Sequence, residues 1–211
     1  LSTLLYVTAN PKAEQDSFSL SVARKFMNAY EKSNPEHRII EVDLYQTQVP
    51  LLDRDVFNGW KKLQEGVSFT DLAADERSKL SFMNALLEQF VSADKYVFVT
   101  PMWNFGLPAI MKAYIDNVCI ADKTFRYTEN GPVGLLSGRK ALHIQARGGI
   151  YSEGPLGDKE LGDRYLRTVL SFMGISDVAS IYVEGMGQLP SETERIRARS
   201  IAAAEQMALV Y

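Results

Sequence analysis

A chain of 211 residues, 46% hydrophobic and 23% charged, is long enough for one α/β domain with a full core, and its net charge of −3 excludes an electrostatic drive toward nucleic acid or anionic membrane. The one cysteine, Cys119, excludes an internal disulfide framework and a thiolate metal cluster. It reads as a buried thiol on a helix, and so low a cysteine content suits a reducing cytoplasm.

The first residues, LSTLLYVTANP, lack the basic segment of a signal peptide and read as the opening strand of a domain, apolar and β-branched over 3–9 and broken by Asn10-Pro11. Residues 19–34 place Leu20, Ala23, Phe26, Met27 and Tyr30 on one helical face. HRIIEVDLY then alternates, with Ile40, Val42 and Leu44 on one side, as in a half-exposed edge strand. Residues 46–70 carry Phe57, Trp60 and Phe69 among polar residues; so long a loop is functional or hides short helices.

A long amphipathic helix follows over 71–94, with Asp71 as its expected cap, and then a buried strand, KYVFVT. AIMKAYIDNVCI reads as helix. Residues 124–146 form two arms about a Glu-Asn-Gly turn, and the second arm leads into a buried strand, ALHIQA; this hairpin, near 120–138, is an excursion from the domain. LGDRYLRTVLSFMGI is a helix stopped near Gly174, DVASIYVEG a strand, and 191–211 a terminal helix with a capping-box pattern, Ser191 and Glu194. No stretch approaches the roughly 18 continuous apolar residues of a membrane span.

Strict β-α alternation over residues 1–211, with no linker or repeat, predicts a single three-layer α/β domain built on a five-stranded parallel sheet of order 2-1-3-4-5. In such a sheet ligands bind beyond the carboxyl ends of the strands, where strands 1 and 3 part company. The loops after strands 1, 3 and 4 converge there: NPKAEQDSFS, PMWNFGLP and RGGIYSEGPLGD. The first has no dinucleotide or Walker pattern but sets Ser17 and Ser19 at a helix mouth, which suits one phosphate or simple capping. The second offers Trp103 and Phe105 to a flat ring, Asn104 to its edge and Gly106 for close approach; packing aromatics would look the same. The third offers Arg147 and the backbone N–H groups of Gly148 and Gly149 to developing negative charge, or makes a flexible turn. Together they describe a mononucleotide with a flat head, a flavin. His37, just before a strand, and His143, within one, read as structural.

PMWNFGLPAIMKAYID, TFRYTENGPVGLL, RGGIYSEGP, FMGISDV and YVEGM, in that order, resemble the FMN-dependent NADH-azoreductases, flavodoxin-like quinone and azo reductases, and residues 50–70 resemble the Bacillus-type branch. The resemblance implies FMN, NADH as electron donor, and a homodimer with the site at its interface. It maps phosphate contacts onto Ser17, Phe18 and Ser19, with Asn10 where some members carry serine. It maps ring contacts onto Met102, Trp103, Asn104, Phe105, Ala146, Arg147, Gly148 and Gly149. Tyr127 and Phe172 match aromatics over the flavin, Phe172 reaching across the dimer. The implied reaction is ping-pong, NADH first and then a quinone or an aromatic azo compound, with chemistry on the flavin rather than on a catalytic side chain. Two rivals are a flavodoxin-like electron carrier without its own substrate, and a cofactor-free interaction module.

Overall fold

The apolar runs of the sequence become the middle of a parallel sheet. The computed structural model describes all residues from Leu1 to Tyr211. β1 (Thr3–Thr8), β3 (Lys95–Pro101) and β6 (Lys140–Arg147) are almost wholly buried. β2 (Arg38–Asp43) and β7 (Asp177–Glu184) lie at the two edges of the order β2-β1-β3-β6-β7, with every pairing parallel. In the sheet's own count this is the expected 2-1-3-4-5. The two inserted strands, β4 (Phe125–Thr128) and β5 (Gly131–Gly134), form a separate antiparallel hairpin.

Helices cover both faces, so the central strands β1, β3 and β6 bury both sets of side chains. α1 (Phe18–Ser33) and α6 (Thr193–Val210) close one face around Val22, Phe26, Met27, Ile196 and Ala204. α3 (Ala74–Ser92), α4 (Ala109–Val118) and α5 (Gly162–Phe172) close the other around Phe90, Met111, Tyr114, Leu166 and Leu170. The α1 stripe is buried as expected at Ala23, Phe26, Met27 and Tyr30, and partly so at Leu20.

Residues 46–70 conceal a helix, α2 (Arg54–Gln64), which the scattered aromatics disguised. Asp53 caps it, its Oδ1 accepting the N–H groups of Asp55 (3.1 Å) and Val56 (3.2 Å). Gly59 lets α2 lie close on α3, since a Cβ there would come within 2.8 Å of Leu80 Cδ1. Asn117 of α4 holds the start of the segment by donating to the Pro50 carbonyl (2.7 Å).

Two expected caps are displaced. α3 starts at Ala74, not after Asp71, which sits in a single 3-10 turn; Glu76 reaches back to accept the Ala73 N–H (3.0 Å). α6 starts at Thr193, and Ser191 lies in the preceding 3-10 turn without capping anything. Cys119 is half-buried at the end of α4, not inside a helix.

Candidate functional site

The C-terminal ends of β1, β3 and β6 are neighbours in the sheet, so the loops leaving them share one crevice roughly 10 Å across, two strand spacings. The Met102 N–H donates to the Ala146 carbonyl (2.7 Å) and the Ala9 N–H to that of Val99 (2.9 Å), which keeps the strands aligned to their last residue.

The first loop is tied by an amide. Asn10 Nδ2 donates to Ser17 Oγ (2.8 Å) and lies 3.4 Å from Ser19 Oγ; the two hydroxyls are 3.2 Å apart, and all three residues are buried. Ser17 also caps α1 by accepting the Leu20 N–H (3.2 Å). The N–H groups of Phe18 and Ser19, in the first turn of α1, find no partner in the chain, which is the arrangement that favours an anion. A hollow of about 80 Å³ at this mouth is lined by Gln15, Asp16, Ser17, Phe18 and Arg197. Arg197 comes from α6, where it lies over the Phe18 ring at 6.0 Å; nothing in the sequence pattern singled it out.

The second loop is a hairpin in miniature. Trp103 and Gly106 exchange both backbone hydrogen bonds (3.0 and 2.9 Å), and the two residues between them both have left-handed backbones, Asn104 at φ 47° and Phe105 at φ 69°. Asparagine accepts that conformation readily, but phenylalanine pays about 1–2 kcal/mol for it. Trp103, Asn104 and Phe105 are exposed and Met102 is half-buried. The turn thus presents two large aromatics outward and leaves the Asn104 and Phe105 N–H groups free. The Phe105 carbonyl accepts the Leu161 N–H (2.9 Å), and its ring meets Tyr151 edge to face, 6.5 Å between centroids.

The third loop departs from expectation at Arg147. The backbone of 146–149 lines the crevice, and a Cβ built on Gly148 would meet nothing within 4 Å. The Arg147 side chain, however, is 2% exposed and turns under the loop. Its Nε donates to Gln145 Oε1 (2.6 Å), its head pairs with Glu184 (3.3 Å) and Glu160 (3.7 Å), and its plane lies 3.7 Å from the Tyr182 ring centroid. The cause is strand alternation: His143, Gln145 and Arg147 share one face of β6, beneath α5. A guanidinium held this way does not reach a ligand in the crevice; the donors there are the backbone N–H groups.

His143 is structural, as expected, bridging Thr100 Oγ1 (2.9 Å) and Asp163 Oδ1 (2.8 Å) with no exposure. Burial alone would push the Asp163 carboxyl up; bonds from His143, Arg167 and Ser180 overcome it and hold the carboxyl well below the usual range. His37 likewise pairs with the Tyr30 hydroxyl (2.8 Å).

Tyr127 and Phe172 are not brought to this crevice. α5 leaves the crevice and runs back along the sheet for 11 residues, roughly 16 Å, so Phe172 at its end lies toward the N-terminal end of the strands. There Phe125 of the hairpin packs on it (4.5 Å between centroids), and Tyr127, 74% exposed, stands beyond. The hairpin docks closely: a Cβ on Gly134 would lie 2.2 Å from the Gly174 nitrogen.

Topology, crevice position and a phosphate-sized helix mouth define a flavodoxin-like domain. Residues 2–208 match the family described as having a flavodoxin-like fold. Over all 211 residues, and the full length of both proteins, the chain is 50% identical to the FMN-dependent NADH:quinone oxidoreductase of Geobacillus kaustophilus. It is 46% identical over 206 residues, 98% of each, to FMN-dependent NADH:quinone oxidoreductase 2 of Bacillus subtilis. The crystal structure of an FMN-dependent NADH-azoreductase from Bacillus anthracis, in complex with FMN, superposes with a TM-score of 0.90 at 35% identity, over 99% of this chain and 100% of that one. The chain belongs to this family of flavodoxin-like FMN-dependent NADH:quinone oxidoreductases.

Proposed function

We propose that the chain binds FMN in the crevice and uses NADH to reduce quinones and aromatic azo compounds. The observation that carries it is the junction of three loops with complementary chemistry at the ends of β1, β3 and β6. Paired hydroxyls and free N–H groups at residues 17–19, with Arg197 beside them, suit the phosphate. The free N–H groups of Asn104, Phe105, Gly148 and Gly149 suit the edge of a polar ring, and the open side of Gly148 gives it room. FMN held there would supply two-electron exchange between NADH and the acceptor. The chain contributes placement and electrostatics. N–H groups at 148 and 149 stabilise negative charge on the ring edge, and Trp103 and Phe105 give planar substrates an apolar wall. His143 moves no proton, being buried with both ring nitrogens occupied; water in the open crevice serves.

The reading extends to a homodimer in the cytoplasm, where NADH is at hand. Tyr127 and Phe172 lie at the far end of their own sheet, so a second copy is needed to set them over a crevice. Mixing Phe172→Ala chains with Gly148→Trp chains, whose crevice is blocked, tests this. Shared sites regain on the order of a quarter of full activity through random pairing; no recovery refutes the shared site. For the function as a whole, the purified protein is reconstituted with FMN and mixed with NADH, then with menadione. Bleaching and recovery of the flavin spectrum, with steady NADH oxidation, is the expected result. A protein that takes up FMN but needs a separate reductase would be an electron carrier, and one that takes up none would refute the reading.

A further inference from the structure

The third loop gives no side chain to the buried core clusters, and polar bonds hold several of its backbone groups. Two carboxylates hold it from below, one at each end. Glu184, the last residue of β7, accepts the N–H groups of Tyr151 (2.9 Å) and Ser152 (3.2 Å) on Oε2, and the Ser152 hydroxyl on Oε1. Glu160 accepts the N–H groups of Asp163 (2.8 Å) and Arg164 (3.3 Å), fixing the start of α5, whose neighbour Leu161 in turn fastens Phe105. Both carboxylates are buried, and the buried Arg147 guanidinium lies between them as their common counter-charge. Gln145 orients it: only Oε1 can accept from Arg147, which leaves Gln145 Nε2 unpartnered beneath Gly162.

We infer that Glu184 is a positioning residue for the crevice, gripping residues 151–152 so that Gly148, Gly149 and the Tyr151 ring are set before any ligand arrives. It touches no ligand itself. Its carboxylate acts through the loop, and Arg147 is what makes a buried carboxylate tolerable there. Tyr151 then meets Phe105, so the grip extends to the second loop. The effect on FMN rests on the proposed function; the effect on the loop does not.

The test uses the full chain with Glu184→Gln, and with Ser152→Ala as a milder change on the exposed side of the same contact. Hydrogen exchange of the FMN-free protein is followed by mass spectrometry, and FMN affinity by fluorescence quenching. Glu184→Gln is expected to speed exchange across 149–153 while β3 stays protected. One lost charge-assisted contact weakens FMN about tenfold to a hundredfold when the loop must be ordered on binding. The absorption maximum of the bound flavin is expected to shift, which a loss of global stability alone would not produce. Ser152→Ala gives smaller changes of the same sign. If both variants match wild type in exchange at 149–153, the inference is overturned. If exchange quickens but FMN affinity and spectrum are unchanged, the loop is gripped without consequence for the ligand and the positioning role is overturned. A wild-type chain that binds no FMN would instead overturn the proposed function, with the exchange arm still judging the grip.

Discussion

Arg147 separates two accounts of the crevice, and one substitution decides between them. A guanidinium aimed at a flavin would be worth little to folding, within about 0.5 kcal/mol for a surface charge away from special features, and its loss would slow reduction. The structure instead buries it to 2% exposure between Glu184 and Glu160 and against Tyr182. Arg147→Met keeps the length of the stem and removes the charge. It strands two buried carboxylates, and removing one partner of a buried ion pair costs about 3–5 kcal/mol. For a domain of this size each kcal/mol lowers Tm by about 2–4 °C, so the expected drop is about 6–20 °C. The assay is thermal unfolding of the FMN-free protein by circular dichroism, which makes the result independent of any ligand. A variant that melts within a degree or two of wild type and is merely slower with NADH would refute the burial argument.

Asp163, in the first turn of α5, is a further buried charge, and its pH dependence has a definite sign. Its carboxyl is held well below the ordinary unfolded value of about 3.9, so it contributes stability in full above about pH 5, which is lost as pH falls through the folded value. Asp163→Asn is expected to lose about 3–5 kcal/mol near neutrality and to show a flatter fall of Tm between about pH 5 and 3 than wild type; parallel curves would refute it. Gly134→Ala drives a Cβ into the Gly174 backbone and is expected to cost about 1–3 kcal/mol, whereas Gly148→Ala, open on that side, is expected to melt with wild type but bind FMN more weakly. Equal unfolding midpoints in denaturant for the two would count against both. Ser17→Ala removes the α1 cap and one hydroxyl of the phosphate mouth; a loss of about 1 kcal/mol together with weaker FMN binding is expected, and calorimetric titration reads the second.

The sheet was legible because its central strands are apolar runs closed by breakers, and its second strand shows the alternation of an edge. KYVFVT stops at Pro101 and DVASIYVE turns at Gly185, whose φ of 96° favours glycine. α2 was hidden because helical periodicity needs an apolar stripe, and Phe57 faces water while Val56 and Gly59 are buried. Caps were wrongly expected at Asp71 and Ser191 because any Ser or Asp near a helix start satisfies the pattern, and only backbone geometry chooses among them. In the crevice, backbone positions were readable from loop order alone. The direction of the Arg147 side chain was not, since it depends on which face of β6 carries residue 147 and on acids at 160 and 184, distant in sequence. Of these only Glu184, a charge ending an apolar strand, gave any local hint.

Tight hairpin, buried ion cluster and tied serines solve one problem. Three loops must stand open to solvent, with N–H groups unpaired, and still keep one shape. Apolar packing alone does little of this at the rim of a sheet, where side chains are covered on one side only. The chain therefore accepts local costs there: a phenylalanine in a left-handed turn, two carboxylates and a guanidinium out of water. Each cost is tied to the next by a hydrogen bond, Glu184 to Tyr151, Glu160 to the start of α5, Leu161 to Phe105. Rigidity of the third loop therefore leans on buried charge and its hydrogen bonds more than on core packing. It should respond to changes of buried charge far more than to changes of core volume.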